Sequence, residues 1–361
     1  MAAASRSPAL PLMFASLLLF AGAAASGDMP LMMERFNAWR AAYNRTYATA
    51  EERQRRFEVY RRNVEHIEAT NRRGGLSYQL GENQFTDLTS DEFRAAHTMP
   101  PGPALAARDA VTRQLNTTTT RGGGKGNGSY SGDAFGQVPY SVDWRNSGAV
   151  TPVKHQMTCG SCWAFAAVAS IESLYMLRTG RLVSLSEQEL VDCDHTPPDS
   201  GCDGGSPASA MWWVARNGGL ATAWEYPYES RQGQCRRVGI RVGWIRGGAA
   251  VEPNSEAALE RAVVQQPVAV TINAGTSQFQ HYKAGVLSAP CDAGTNHAVT
   301  HPGPLRRWDQ PRRHGGRVRR RRRRALVLDR QELGGYLRME RRVAAREGLC
   351  GIASMPYYPV M

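Results

Sequence analysis

The sequence predicts an α+β protein: a charged helical hairpin, a polar connecting stretch, a helix-rich half and a closing half rich in strand-forming residues. Three observations carry that expectation. Apolar residues recur at helical spacing between Glu34 and Asn71, at Phe36, Trp39 and Tyr43 and again at Phe57, Tyr60, Val64 and Ile67. The apolar run from Ala164 to Leu177 has few breakers and reads as a buried helix. Pro267-Val268-Ala269-Val270-Thr271-Ile272 is rich in β-branched residues and reads as a strand. A chain of 361 residues has room for a large core or for two domains.

In chain order, residues 1–25 look like a secretory signal. Arg6 gives the positive start, Ala9 to Phe20 the apolar core and Ala23-Ala24-Ala25 the small residues for cleavage. The apolar run is too short for a membrane anchor, and no later segment is apolar enough to span a bilayer. Residues 26–100 hold the hairpin, with Gly74-Gly75 ending its second helix. Residues 101–137, introduced by Pro100-Pro101 and carrying Thr117 to Thr120 and Gly122-Gly123-Gly124, are expected to be a flexible linker and an exposed cleavage site. Glycosylation sequons begin at Asn44, Asn116 and Asn127, with none after Val138. Residues 138–361 form the last domain, helical to about Ala223 and strand-rich beyond.

The chemistry concentrates in Gln156-Met157-Thr158-Cys159-Gly160-Ser161-Cys162-Trp163. Cys162 stands at the first turn of the predicted buried helix, where free N–H groups and partial positive charge favour a thiolate, the nucleophile of a cysteine hydrolase. Gln156 lies where its amide can point back at the same spot and donate to an oxyanion. Entry to the secretory route permits disulfides, and 7 cysteines leave one over as a free reactive thiol. The pairing of the other six stays open, on the order of fifteen ways. The net charge of +12 suggests an acidic partner, yet much of the excess lies in Arg312 to Arg324. No aromatic residues interleave Arg319 to Arg324 to stack on bases, so nucleic-acid binding is not expected. No metal and no cofactor is implied.

Cys159-Gly160-Ser161-Cys162-Trp163 resembles the local signature of papain and the cathepsins. Glu52, Arg56, Tyr60, Asn63, Ile67 and Asn71 resemble the Glu-Arg-Phe-Asn-Ile-Asn pattern of cathepsin L-like propeptides, with Tyr60 in place of Phe. Gly81-Glu82-Asn83-Gln84-Phe85-Thr86-Asp87 resembles their Gly-Asn-Phe-Asp motif, and Val138 to Arg145 resembles the mature N-terminus of papain-like enzymes. The resemblance implies a papain-like two-lobe fold, a helical lobe plus a β-barrel-like lobe, preceded by a propeptide that lies through the cleft in reverse and inhibits it. It implies His297 as base and acid for Cys162, and disulfides Cys159–Cys202, Cys193–Cys235 and Cys291–Cys350. His297 falls in the roughly 130–150 residues downstream where that family carries its histidine. Gly204 and Gly205 resemble the strip that hydrogen-bonds an extended substrate. Ser206, Pro207, Thr271, Thr295, Ala298 and Met355 would line an uncharged pocket of medium size for the substrate's second residue before the cut. The implied protein is a monomeric cysteine endopeptidase zymogen of a lytic vacuole, lysosome or the extracellular space. It acts on protein and peptide substrates and is open to cystatin-type inhibitors.

The resemblance breaks after His297. The family continues with Gly-Tyr-Gly and then Lys-Asn-Ser-Trp-Gly, whose Asn orients the His and whose Trp shields the pair; neither is present as written. Leu328 to Leu333 can be encoded CTG GAT CGT CAA GAA CTC, which one base later reads Trp-Ile-Val-Lys-Asn-Ser. Leu305 to Trp308 can be CTA CGG CGC TGG, which the same shift turns into Tyr-Gly-Ala. Residues 300–334 therefore read as out-of-frame sequence. With His301, Pro302, Pro304 and the Arg tract, this segment is expected to loop out and leave a gap beside His297. The rival functional reading is a catalytically dead relic or peptide-binding homologue.

Overall fold

The computed structural model describes residues 15–99, 142–289, 291–292, 294–314, 317–330, 335–341 and 343–361. The start of the signal, the 101–137 linker with the Asn116 and Asn127 sequons, and the 138–141 junction lie outside the described residues. The chain divides into two units, one of residues up to Ala69 with Glu82–Leu88, the other of Thr70–Gly81 with Thr89–Met361.

The first unit is the helical hairpin. Helix α1 runs Ala15–Ala42 and α2 runs Ala50–Arg72. Phe36, Trp39, Phe57, Tyr60 and Val64 form its core, with the Phe36 ring 5.1 Å from Tyr60 and 5.4 Å from Phe57. Tyr43 departs from the expected pattern. It is 39% exposed and covers the outer edge of Trp39, at a ring distance of 5.6 Å. The polar members of the spaced motif tie down the 82–88 segment. Arg56 bonds Glu52 at 2.8 Å and donates to Asp87 O at 3.1 Å, Asn63 donates to Thr86 O and Leu88 O, and the Tyr60 hydroxyl bonds Glu82. These groups satisfy main-chain carbonyls that a helix cannot reach with its own backbone, which explains polar residues at fixed helical spacing.

In the second unit, Asn71 pairs with both main-chain groups of Leu80, and strand β1 (Tyr78–Leu80) pairs antiparallel with β4 (Tyr282–Gly285). Helix α3 (Ser90–His97) is started by a capping box between Thr89 and Glu92. The long helix α4 (Cys162–Thr179) is buried around most of its circumference and ends on Gly180 in the left-handed conformation. Helices α5 (Glu187–Cys193) and α6 (Pro207–Asn217) follow. Strand β2 (Gly247–Ala250) leads through helix α7 (Glu256–Gln265) to β3 (Val268–Ile272) and the short α8 (Ser277–Gln280). Strand β5 (His297–His301) and the terminal β9 (Tyr357–Val360) complete a four-stranded sheet of order β2-β9-β3-β5. The expected strand at Pro267–Ile272 is β3, buried at every position. Among the described residues no helix is long and apolar enough to cross a membrane.

One expectation is corrected. The segment after β5 does not loop out. Strands β6 (Gly303–His314) and β7 (Arg317–Arg330) form an antiparallel hairpin, and β8 (Gly335–Glu340) adds to it in the order β6-β7-β8. The physical reason is that ladder bonds use only main-chain groups. Pro304 and Pro311 fall on β6, an edge strand, where a missing N–H is tolerated. Thr300 and His301 continue β5 and are buried, and Thr300 Oγ1 donates to Ala166 O at 3.3 Å.

Candidate active site

The site is built where the start of α4 meets the start of β5. Cys162 is the first residue of α4 and is fully buried. Phe165 N–H reaches back to Ser161 O at 3.2 Å, so the first turn closes on the residue before the thiol. Strand β5 is held by β3 in a register that places Ile272 opposite His297 and Thr271 opposite Ala298. Ala298 N–H points at Cys162 Sγ at 3.5 Å, so the strand that carries His297 runs against the thiol from a position far away in sequence. His297 is fully buried, with the Phe279 ring edge-on at 6.1 Å.

The loop ahead of α4 is pinned from three sides. Cys159 is bonded to Cys202, and Gly160 N–H donates to Cys202 O at 3.0 Å. A Cβ on Gly160 would lie 2.4 Å from that oxygen, so only glycine fits. Tyr228 donates to Gln156 O at 2.8 Å and lies 2.7 Å from Ser161 Oγ. Gln156 is fully buried and its Nε2 donates to Cys159 O at 3.0 Å, so one N–H of the amide is engaged and one remains to donate. The other disulfides join Cys193 to Cys235 and Cys291 to Cys350, and Cys162 is the free cysteine.

Gly204 and Gly205 follow Cys202-Asp203. Gly205 packs flat on Trp163, where a Cβ would come within 2.6 Å of the indole. Gly205, Ser206, Pro207, Thr271 and Met355 line a small cavity. Ala298 and Thr295 are not among its walls: Ala298 lies under Cys162 and Thr295 is half-buried ahead of β5. Met99 and Tyr357 complete the lining, and neither is singled out by the sequence. Met99 follows α3, is 3% exposed, bonds Asn296 O through its N–H at 2.6 Å and rests over Gly204. The space left beside it is about 20 Å³, room for roughly one water. Only tertiary placement reveals Met99, because nothing in its sequence neighbourhood marks it apart from the following prolines.

Behind α4 lies a buried charge cluster. Lys154 Nζ donates to Glu172 at 2.6 Å, to Glu187 at 2.5 Å and to Leu185 O at 3.1 Å. One ammonium facing two buried carboxylates holds its own proton above the ordinary lysine range despite burial. It cannot neutralise both partners. Burial first, and then the charge of Glu172, outweigh Lys154 and push Glu187 up to about 7.

A family model described as papain family cysteine protease matches residues 138–304, and the cathepsin propeptide inhibitor domain matches residues 36–93. Ananain of Ananas comosus is 39% identical over 352 residues, covering 97% of this chain and 94% of ananain. This chain belongs to the papain family of cysteine proteases. A second papain-type relative, the senescence-specific cysteine protease SAG39 of Oryza sativa subsp. indica, is 39% identical over 92% of this chain and 91% of its own length. Among solved structures, recombinant stem bromelain precursor superposes with a TM-score of 0.76 at 36% identity, covering 91% of this chain and 99% of that one. The proform of the ragweed allergen Amb a 11 follows at 0.73 and 32%, covering 91% and 94%. The protein therefore has the papain-like fold with its N-terminal propeptide, and it is a zymogen of a cysteine-type endopeptidase carrying its own inhibitor domain. The papain family match ends at Pro304, inside the segment where the sequence departs from the family pattern.

Proposed function

We propose that Cys162 is the nucleophile, His297 the base and acid, and Gln156 with the Cys162 N–H the oxyanion donors of this peptidase. The supporting observation is Ala298 N–H at 3.5 Å from Cys162 Sγ, with His297 one residue earlier. The imidazole takes the thiol proton, and the thiolate adds to the scissile carbonyl. The oxygen that becomes negative is met by the remaining Gln156 N–H and the unengaged main-chain donor at the head of α4. The imidazolium then protonates the leaving amine, and water hydrolyses the thioester by the same route in reverse.

Substrate lies extended along Gly204-Gly205, with its second residue before the cut in the cavity of Ser206, Pro207, Thr271 and Met355; Thr295 and Ala298 belong to the surroundings of that site. The cavity is walled by Met99, Pro207 and Met355 among others, an uncharged lining that supports a preference for unbranched or branched aliphatic side chains there. Maturation removes the segment before about Val138 by cleavage within 101–137. The signal, the sequons and the disulfides support passage through the secretory route to a lytic vacuole, lysosome or the extracellular space. The mature enzyme acts as a monomer and is open to cystatin-type inhibitors. The test is to process the precursor at acid pH, label it with an epoxide thiol inhibitor and profile it on a peptide library. Labelling at Cys162 with aliphatic selection at the second position is the expected result. Labelling at another cysteine, or selection of a charged residue, overturns the reading.

A further inference from the structure

The residues on either side of Gln156 are tied to each other. Met157 N–H donates to His155 Nδ1 at 2.9 Å, so the imidazole closes a turn with Gln156 at its centre. Within that turn Met157 has a φ of 58°, the left-handed region that a residue with a side chain enters at a cost. Packing does not hold it there, because Met157 is 52% exposed. Gln156 itself is fully buried, with its carbonyl oxygen on the Tyr228 hydroxyl at 2.8 Å and its Nε2 on Cys159 O at 3.0 Å. Thr158 N–H, next along, donates to Ser230 Oγ at 3.3 Å. The direction in which the Gln156 amide is presented therefore follows the backbone of residues 155–157, and that backbone is closed by an imidazole nitrogen acting as acceptor.

A neutral imidazole has one accepting nitrogen and an imidazolium has none. Nδ1 can take the Met157 N–H only while His155 is neutral with its proton on Nε2, and a half-buried histidine changes charge within the physiological range. The other charged and titratable groups on the elements around the turn are accounted for. Lys154, next in sequence, is engaged by Glu172 of α4 and Glu187 of α5. On the loop that carries Tyr228 and Ser230, Arg231 bonds Glu229 at 3.2 Å. Burial pushes Tyr228 up to about 12, so its hydroxyl stays a donor throughout. Cys162 and His297 stand at the heads of α4 and β5.

We infer that His155 is a positioning residue for the oxyanion site, an imidazole that holds the Gln156–Met157 turn while it is neutral and releases it when protonated. Protonation sets an Nδ1–H donor against the Met157 N–H donor. The strained turn then relaxes, and the Gln156 amide loses its aim. The oxyanion exists only in the transition state, so the loss falls on kcat rather than on KM. This rests on the proposed role of Gln156 as oxyanion donor.

The test uses the acid-processed full chain with His155→Asn, His155→Ala and the His155→Ala/Met157→Gly pair, each normalised by epoxide titration of active sites. Asn offers an amide oxygen to the N–H two residues on and does not titrate. His155→Asn should match the parental kcat at pH about 7.5 and exceed it roughly 3- to 10-fold at pH about 5, with KM close to the parent's at both. His155→Ala should fall roughly 3- to 10-fold below the parent at pH about 7.5 and meet it at pH about 5. Glycine enters the left-handed region without strain, so adding Met157→Gly should restore most of what His155→Ala loses. A ratio of His155→Asn to parent that is the same at both pH values overturns the inference, as does a His155→Ala effect confined to KM. A second readout needs no activity. In the intact precursor, protection of the Met157 amide against deuterium exchange, corrected for its intrinsic rate, should drop from pH about 7.5 to about 5 in the parent and hold in His155→Asn. Equal pH dependence of protection in both overturns the inference. The expected protection pattern together with an unchanged kcat in Gln156→Ala would support the turn at His155 and count instead against Gln156 as the oxyanion donor.

Discussion

Strands β5 and β7 make an instructive pair. β5 is five residues long, lies at the edge of its sheet, and is buried at every position. It bonds β3 through its main chain and meets α4 through Ala298 N–H and Thr300 Oγ1. β7 is 14 residues long, is the middle strand of its sheet, and carries the run Arg319 to Arg324. Main-chain pairing runs along β7 as it does along β5, with one irregularity where β6 bulges between Leu305 and Trp308, because N–H and C=O groups ignore the side chains between them. What β7 lacks is any sequence alternation that would choose its register, and a strand without such a pattern is weakly specified. The placement of Cys162 depends on contact with the first kind of strand, through the Ala298 N–H.

The sharpest way to break the comparison is at α4. Cys162→Ser should lower turnover by at least about a thousandfold while the precursor still folds, because the hydroxyl is a far weaker nucleophile in the same place. Retention of more than a few per cent of parental turnover, measured per mole of folded protein, would remove Cys162 from its role.

The next test goes to the hairpin. Restoring the one-base-shifted frame over residues 300–334 returns the Lys-Asn-Ser run that the family pattern carries after its histidine. Turnover per titrated site should rise by roughly ten- to a hundredfold over the chain as written, the range expected when an orienting partner of a catalytic imidazole is regained. Equal turnover in the two chains would mean that β7 needs no more than its paired main chain.

The contrast explains what could be read from the sequence. The buried helix, strand β3 and the 52–71 motif were legible because each repeats at its own structural period. Cys162 and His297 were legible through residues that flank them. Two things were not. Met99 joins the lining of the cavity by tertiary placement, and the β6–β7 hairpin forms from main-chain groups that no side-chain pattern reports. Tyr43 shows the converse, a residue at the right spacing that falls just past the end of its helix and is left 39% exposed against Trp39.

A smaller effect lies in the first unit. Glu52 accepts from Arg56 and Arg55, which hold its carboxyl below the usual range. A carboxyl lowered in the folded state contributes stability above its unfolded value, and that contribution is lost as pH falls through the folded one. Acid therefore loosens the propeptide, and the precursor should process at pH about 4 and remain intact at pH about 7. Glu52→Gln should shift processing modestly towards neutral pH, read as the fraction of mature chain on a gel after fixed incubation. Processing at equal rates at both pH values would sink the idea.

The smallest effect asks whether the well-specified region carries a conflict of its own. It does, in Glu187, the first residue of α5 and one of two buried carboxylates on Lys154. Its folded-state value of about 7 lies above the ordinary 4.5. A raised carboxyl favours the folded state in its protonated form. Its contribution is therefore fully present below about pH 4.5 and is lost as pH rises through about 7, the opposite direction to Glu52. The molecule should gain stability at the acid pH that loosens its propeptide, which suits a peptidase that works after acid processing. Glu187→Gln keeps the shape and a hydrogen-bonding oxygen for Lys154 but cannot ionise. In denaturant melts of the intact precursor it should match the parent near pH 5 and exceed it by about 1–3 kcal/mol near pH 8. A variant less stable than the parent at pH 8 would mean that the Lys154–Glu187 ion pair outweighs the burial of its carboxylate, and that α4 and α5 meet without the conflict described.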